Sequence, residues 1–355
     1  MAEADRVLDA CGSEVGLREQ YERLGRAGLL AVHYPVEYGG RGLTLGDHCA
    51  VSERLGLRGL PDVAHLITVQ GVGCTVLAFG NDRQRASWLP DIAAGRLLAS
   101  LLLSEIGAGS DLTGITTSAV PDGDGWRITG QKSWSMWTDW SDVALCSVRT
   151  RRGGHRYDGI SLFVVDLRAP GVHITPIART AGEPYYTVTF DDVGVEQDAL
   201  LGPLHEGWAL LPTAIGFERG GLDYLSRAQR WLAATGEQLD LLADERRRDL
   251  AAGYVEREFL VENARMLAYH AADTADGLRT DETVTAYAKL AAGLAAQSVA
   301  RWAGEELLPV CGYSQQSALL DAAVAEAPEL TVSGGAQELQ LDLIANDPMI
   351  GGVIR

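Results

Sequence analysis

Apolar positions fall into three textures along this chain. Up to about residue 97 they recur at the three- and four-residue intervals of a helix. Residues 47–57 and 67–79 carry the pattern, Gly80 marks a stop, and 83–94 resumes it. From about 98 to 207, short apolar runs are separated by turn signals. Trp126-Arg127-Ile128-Thr129 alternates as a strand does, and Val143-Ala144-Leu145-Cys146-Ser147-Val148, Ile160-Ser161-Leu162-Phe163-Val164-Val165 and Tyr186-Thr187-Val188-Thr189-Phe190 read as three more. The turns lie at Asp122-Gly123-Asp124-Gly125, Arg152-Gly153-Gly154 and Ala169-Pro170-Gly171. From Trp208 onward the chain is rich in Ala, Leu, Glu and Arg and poor in Pro, which predicts long helices over 222–241, 250–275 and 282–308. The order α, β, α predicts an α+β multidomain protein, with helical domains at 1–97 and 208–355 and a β domain at 98–207.

Composition narrows the function. A chain of 355 residues with 46% hydrophobic content buries more than one core and is not disordered. Its 30 Lys and Arg against 48 Asp and Glu give a net charge of −18. A surface that acidic repels phosphate backbones, so no nucleic-acid partner is expected. The charged start, Met1 to Arg6, lacks the apolar centre of a signal peptide. No run reads as the roughly 18 apolar residues of a membrane span. The five cysteines (Cys11, Cys49, Cys74, Cys146, Cys311) form no CxxC pair, which points to a reduced, cytoplasmic setting with thiols packed as small apolar groups. The seven histidines show no metal-ligand spacing.

The candidate chemistry lies in two segments. Ser104-Glu105-Ile106-Gly107-Ala108-Gly109-Ser110-Asp111 is a loop of small residues flanked by hydroxyls, through which backbone N–H groups approach a ligand. Its glycine spacing is wrong for a dinucleotide fingerprint. Gly130-Gln131-Lys132-Ser133-Trp134 is a glycine turn that delivers a lysine and a tryptophan together. A glycine loop, a hairpin and a presented indole suggest a planar cofactor gripped by a small β domain.

These segments resemble motifs of the acyl-CoA dehydrogenase family. Six stretches follow the family's order: Pro35 to Leu43 (with Glu37-Tyr38-Gly39-Gly40), Gly80 to Gly95 (with Trp88-Leu89-Pro90), Ser104 to Asp111, Gly130 to Trp134, Phe190 to Gly202, and Gly216-Phe217-Glu218-Arg219. Glu196 stands where the family usually has proline. The resemblance implies a helical domain, a β-barrel domain and a four-helix bundle. It also implies bound FAD, a homodimer or homotetramer, and oxidation of the Cα–Cβ bond of an acyl thioester on CoA or a carrier protein. A glutamate removes the pro-R α-proton while the β-hydrogen leaves as hydride to flavin N5, and the electrons pass to a protein partner or to oxygen.

An α-proton beside a thioester is weakly acidic, so the site needs donors aimed at the carbonyl oxygen and a desolvated carboxylate within reach. The family's late glutamate position is Gly334 here, within Val332-Ser333-Gly334-Gly335-Ala336, and glycine takes no proton. A second branch of the family, the isovaleryl and long-chain enzymes, carries the glutamate just before an arginine at the start of the bundle. The resemblance therefore assigns the base to Glu218, beside Arg219, with Gly334 offering its backbone N–H to the thioester oxygen. It sets Trp134 against the flavin, Ser104 and Ser110 as flavin donors, and Leu101, Leu103 and Gly109 as backbone contacts, with Ser110 and Arg219 also as substrate contacts. Met136 stands where a hydroxyl residue usually meets N5. The basic cluster Arg149, Arg151, Arg152, His155 and Arg156 corresponds to a loop near the CoA nucleotide, where Arg151 and Arg152 are candidates for a 3′-phosphate or a carrier's phosphopantetheine.

The segment expected to grip the ADP half of FAD is Glu237-Gln238-Leu239-Asp240-Leu241, without the family's arginine, phenylalanine and glycine. The expected activity is dehydrogenation of an acyl or aminoacyl thioester in a specialised biosynthetic pathway. Two alternatives are a flavin monooxygenase or oxidase of the same fold, and a non-catalytic subunit of a heteromeric flavoenzyme.

Overall fold

The computed structural model describes residues 2–11, 16–60, 62–218, 220–275 and 281–347, the side chains of 2–4, 11, 213, 217 and 218 excepted. The chain divides into two compact units. The first comprises Met1–Val51, Val63–Arg179 and Glu183–Phe217; the second comprises Ser52–Asp62, Thr180–Gly182 and Glu218–Arg355.

The chain begins with helices. Ala2–Cys11 (α1), Leu17–Arg26 (α2) and Leu45–Leu57 (α3) precede Asp62–His65 (α4), which runs through a π-helical stretch, Leu66–Gly73, into Cys74–Phe79 (α5). Every residue of that π stretch is buried. Counted as one helix, Asp62–Phe79 is long and apolar enough by composition to cross a membrane, contrary to the sequence expectation. However, 83% of it is buried within the protein, as in a core helix. The Tyr34 hydroxyl donates to the Val69 carbonyl at 2.6 Å, and Thr68 Oγ1 bonds both the N–H and the carbonyl of Ala99, fastening the π stretch to the first strand. The helix Asp82–Ala93 (α6) starts with a capping box in which Asn81 and Gln84 bond each other's backbone N–H groups.

The strands are Ala99–Leu102 (β1), Ser118–Asp122 (β2), Gly125–Met136 (β3), Val143–Arg149 (β4), Ile160–Asp166 (β5), Val172–Pro176 (β6), Tyr185–Glu196 (β7) and Leu200–Leu201 (β8). They form one sheet in the order β6-β7-β3-β2-β4-β5-β8, with β1 parallel to β4. All eight strands send side chains into a single core, from Leu102 and Ala119 through Trp126, Ile128, Cys146, Phe163 and Phe190 to Val172 and Leu200 at its margin. A sheet whose every strand faces one core must curl around it, which is the barrel-like form that the resemblance implies.

The helix Leu211–Glu218 (α7) follows the sheet. The second unit is built from Leu222–Asp240 (α8), Asp244–Asp273 (α9), Glu282–Trp302 (α10), Gln315–Glu326 (α11) and Gln337–Ala345 (α12). The helices α8 to α11 pack on one another and α12 packs on α10. The helix α9 begins six residues before the apolar pattern does, because Asp244 and Glu245 suit a helix N-terminus electrostatically. The sequence reading named no separate element for α1, α2, β1, β2, β6, β8, α7, α11 and α12, which are short or lack a clean period.

Candidate active site

The loop after β1 is held from inside. Lys132, wholly buried on β3, donates to Glu105 Oε1 at 2.9 Å and to the Leu103 carbonyl at 3.0 Å. Glu105 also accepts from the N–H of Thr116 at 2.7 Å and of Thr117 at 3.0 Å. Burial pushes the Glu105 carboxyl up, but the Lys132 ammonium and these hydrogen bonds outweigh it and hold the group at about 2. The loop is thus fixed at both ends by one ion pair, and its glycines remain at the surface.

Beside the loop, β3 carries a bulge. Lys132 pairs with Val188 and Ser135 with Tyr186, so Ser133 and Trp134 together face one residue of β7. Trp134 adopts a left-handed conformation, φ +66°, and is 56% exposed, although the strand around it is largely buried. The neighbouring Ser133 N–H donates to the Ser104 carbonyl at 3.0 Å. The bulge therefore turns an indole outward one residue from where the strand joins the loop. Leu101 is buried on β1 opposite Leu145, while Leu103, Ser104 and Met136 are half-buried and Gly109 and Ser110 are exposed. The Met136 carbonyl accepts from Ser100 Oγ at 3.2 Å.

In the second unit, Gly334 lies in a loop of two left-handed glycines, with φ +58° at Gly334 and +98° at Gly335. A Cβ on Gly334 would stand 3.0 Å from the Tyr224 hydroxyl. A glutamate here would sit on left-handed backbone and press on the Tyr224 hydroxyl, so the position is strained for the late glutamate. Glu218 closes α7, but its side chain lies outside the described residues, as does Arg219. The segment 237–241 has other partners: Glu237 accepts from Gln316 Nε2 at 2.6 Å and Gln238 donates to Ser314 Oγ, tying α8 to α11.

The β4–β5 hairpin separates its basic residues. Arg149 is spent on the carbonyls of Asp158 and Thr113, both at 2.7 Å, and Arg156 lies over the Tyr157 ring. Arg151 and Arg152 are exposed. Tyr157 stacks on Trp208 with ring centroids 4.6 Å apart.

Three family models match the chain in succession: the N-terminal domain of acyl-CoA dehydrogenase over residues 3–96, its middle domain over 100–193 and its C-terminal domain over 205–347. The chain belongs to the acyl-CoA dehydrogenase family. It is 34% identical over 227 residues to the acyl-CoA dehydrogenase FadE26 of Mycobacterium tuberculosis, a match covering 62% of this chain and 56% of that protein. It is 30% identical to the (2S)-methylsuccinyl-CoA dehydrogenase of Cereibacter sphaeroides over 92% of this chain and 63% of the relative. It thus spans between half and two-thirds of the length of these curated relatives. Among solved structures, the ChsE4–ChsE5 complex of M. tuberculosis superposes with a TM-score of 0.83 at 26% identity, covering 99% of this chain and 93% of the other. A glutaryl-coenzyme A dehydrogenase complex shares the fold, with a TM-score of 0.84 at 23% identity over 92% and 86% of the two chains.

Acyl-CoA dehydrogenases are FAD-dependent flavoproteins, and the first unit fits the isoalloxazine half of FAD. The hydroxyls of Ser104 and Ser110 and the N–H groups of Ser104, Gly109 and Ser110 donate to no described residue. A ring system rich in carbonyl and imine acceptors suits such donors, and an exposed indole suits its face.

The sequence reading missed the part played by Lys132, whose signal was that it is one of two lysines in a chain whose other Lys and Arg positions are all arginine. It also missed a buried cluster in which His33, His48 and His65 meet, with ring centroids 4.4 and 5.0 Å apart. His33 Nε2 lies 3.2 Å from Cys74 Sγ and His65 Nδ1 lies 2.9 Å from the Tyr21 hydroxyl. Among the described residues no such group has the arrangement of a metal site. Burial pushes the Cys74 thiol well up, so it packs as an apolar group.

Proposed function

We propose that this protein carries out FAD-dependent α,β-dehydrogenation of an acyl or aminoacyl thioester, carried on CoA or a carrier protein, within a specialised biosynthetic pathway. The single observation behind it is the bulge that turns Trp134 outward beside the unpartnered donors of the Ser104 loop. FAD bound there would supply the acceptor for the β-hydrogen, which leaves as hydride. Trp134 would cover the ring face, the Ser104 and Ser110 hydroxyls and the Leu101, Leu103 and Gly109 backbone would hold the ring, and Met136 would border it. Glu218 takes the α-proton, with Arg219 as its neighbour. The Gly334 N–H donates to the thioester oxygen and stabilises the charge that develops as that proton leaves. Arg151 and Arg152 attract the terminal phosphate of CoA or of a carrier's phosphopantetheine. The assembly is a homodimer or homotetramer in the cytoplasm, and a protein partner or oxygen takes the electrons.

A second reading, a non-catalytic subunit of a heteromeric flavoenzyme, draws on the engagement of Glu237 and Gln238 with α11. The visible spectrum separates the two. Purified protein reconstituted with FAD is titrated anaerobically with a panel of acyl-CoA and acyl-carrier thioesters. Bleaching of the flavin band by one thioester, abolished in Glu218→Gln, supports the dehydrogenase. Protein that retains no FAD overturns it in favour of the second reading.

A further inference from the structure

The chain holds two lysines, Lys132 and Lys289, among its 30 basic residues. All other cations of this acidic protein are arginines, yet both lysines are buried. Arginine suits a surface, where its planar fork pairs with carboxylates. A compact ammonium suits a buried point at which several carbonyls converge. Lys132 meets one, the carbonyl of Leu103, beside Glu105. Lys289, on α10, meets two in the loop before α12.

Lys289 Nζ donates to the Ser333 carbonyl at 2.8 Å and also to the Gly335 carbonyl. The Tyr224 hydroxyl donates to the same Ser333 carbonyl at 2.8 Å, and the ammonium lies 5.5 Å from the Tyr224 ring centroid. The loop contains no cis peptide. In a trans peptide the carbonyl and the following N–H point in opposite directions. Drawing the carbonyls of Ser333 and Gly335 toward Lys289 therefore sends the N–H groups of Gly334 and Ala336 away from it. Among the described residues, none accepts a hydrogen bond from either N–H.

We propose that Lys289, with Tyr224, is a positioning residue for the thioester. By pinning two carbonyls it fixes the loop so that the Gly334 N–H faces away from the ammonium, free to donate to the oxygen on which enolate charge develops. This rests on the proposed dehydrogenation, and it adds the device that orients the donor. The two glycines are part of the device: left-handed backbone at 334 and 335 lets both carbonyls reach one ammonium. Preorganised donors of this kind need no rearrangement as charge appears.

The test is the ionisation of a bound probe, which involves no turnover. A 3-oxoacyl-CoA such as acetoacetyl-CoA forms its enolate in the site and is read by its long-wavelength band with oxidised flavin. In the FAD-loaded wild-type protein the apparent pKa of the bound probe falls below that of the free thioester. In Lys289→Met it rises by about one unit or more, a tenfold loss of enolate at fixed pH. Lys289→Arg recovers part of the shift, and Tyr224→Phe gives a smaller rise. Affinity for CoA itself does not change. An unchanged probe pKa in a folded, FAD-loaded Lys289→Met overturns the proposal and leaves the dehydrogenation reading intact. If that variant does not fold, an unchanged pKa in Tyr224→Phe overturns it. A wild-type protein that binds FAD, forms no enolate band and is bleached by no thioester overturns the dehydrogenation reading itself, and this proposal with it.

Discussion

The Lys132 ammonium stands 2.9 Å from a Glu105 carboxylate oxygen with both side chains out of solvent, and this contact locks the loop after β1 to strand β3. Removing one partner of a buried ion pair leaves the other charge uncompensated. Lys132→Met and Glu105→Gln should each cost about 3–5 kcal/mol, read from urea unfolding. The double variant should lose less than the sum of the two. A single-variant loss under about 1 kcal/mol would show that the loop is held by other contacts.

Glu105 also sets an acid limit. Its folded-state pKa of about 2 lies below the ordinary 4.5, so the stability it contributes is present above pH 4.5 and is lost as pH falls through about 2. Glu105→Gln should flatten the dependence of the urea midpoint on pH below 4.5. An equally steep fall in the variant would place the acid-sensitive group elsewhere.

The histidine cluster acts in a higher window. Burial holds His33 and His65 at about 3 against an ordinary 6.5, so the folded state binds fewer protons than the unfolded chain. Stability should fall as pH drops from 6.5 toward 3, with a slope rising to about one proton for each such histidine. His65→Gln, which keeps a hydrogen-bonding group near Tyr21, should reduce that slope by up to about one proton in urea titrations from pH 7 to 4.

Trp134 separates binding from folding. Its left-handed backbone carries a strain of about 1 kcal/mol, which glycine relieves. Trp134→Gly should keep or raise the melting temperature while weakening FAD about tenfold, followed by flavin fluorescence. Loss of stability with unchanged FAD affinity would make the indole a packing residue only.

Restoring a glutamate at the late family position should fail. Gly334→Glu places a Cβ 3.0 Å from the Tyr224 hydroxyl on left-handed backbone, at a cost of about 1–2 kcal/mol. In a Glu218→Gln background it should not recover flavin bleaching by the active thioester. Recovery would show that the loop rearranges and that the carboxylate position is interchangeable.

Sequence periodicity gave the three textures, and long elements such as α8, β4 and β5 lie within a few residues of their expected bounds, because each buries one face over many residues. The loop at 104–111 and the turn at Gly130 before Trp134 were legible as irregular backbone, since glycines cluster there. Short strands such as β1 and β8 were not, because two to four residues carry too little pattern to separate a strand from a loop.

By itself, then, the sequence determined the family, the order of its domains and the absence of a carboxylate at Gly334, because these depend on residue identity and local spacing. Tertiary structure alone decided what the two lysines do. Glu105 and Lys132 are 27 residues apart and Lys289 and Ser333 are 44 apart. Only the folded chain brings them within hydrogen-bonding distance and removes the water that would otherwise screen them. The same holds for Trp134: its exposure comes from a two-against-one register between β3 and β7, which neither strand specifies alone.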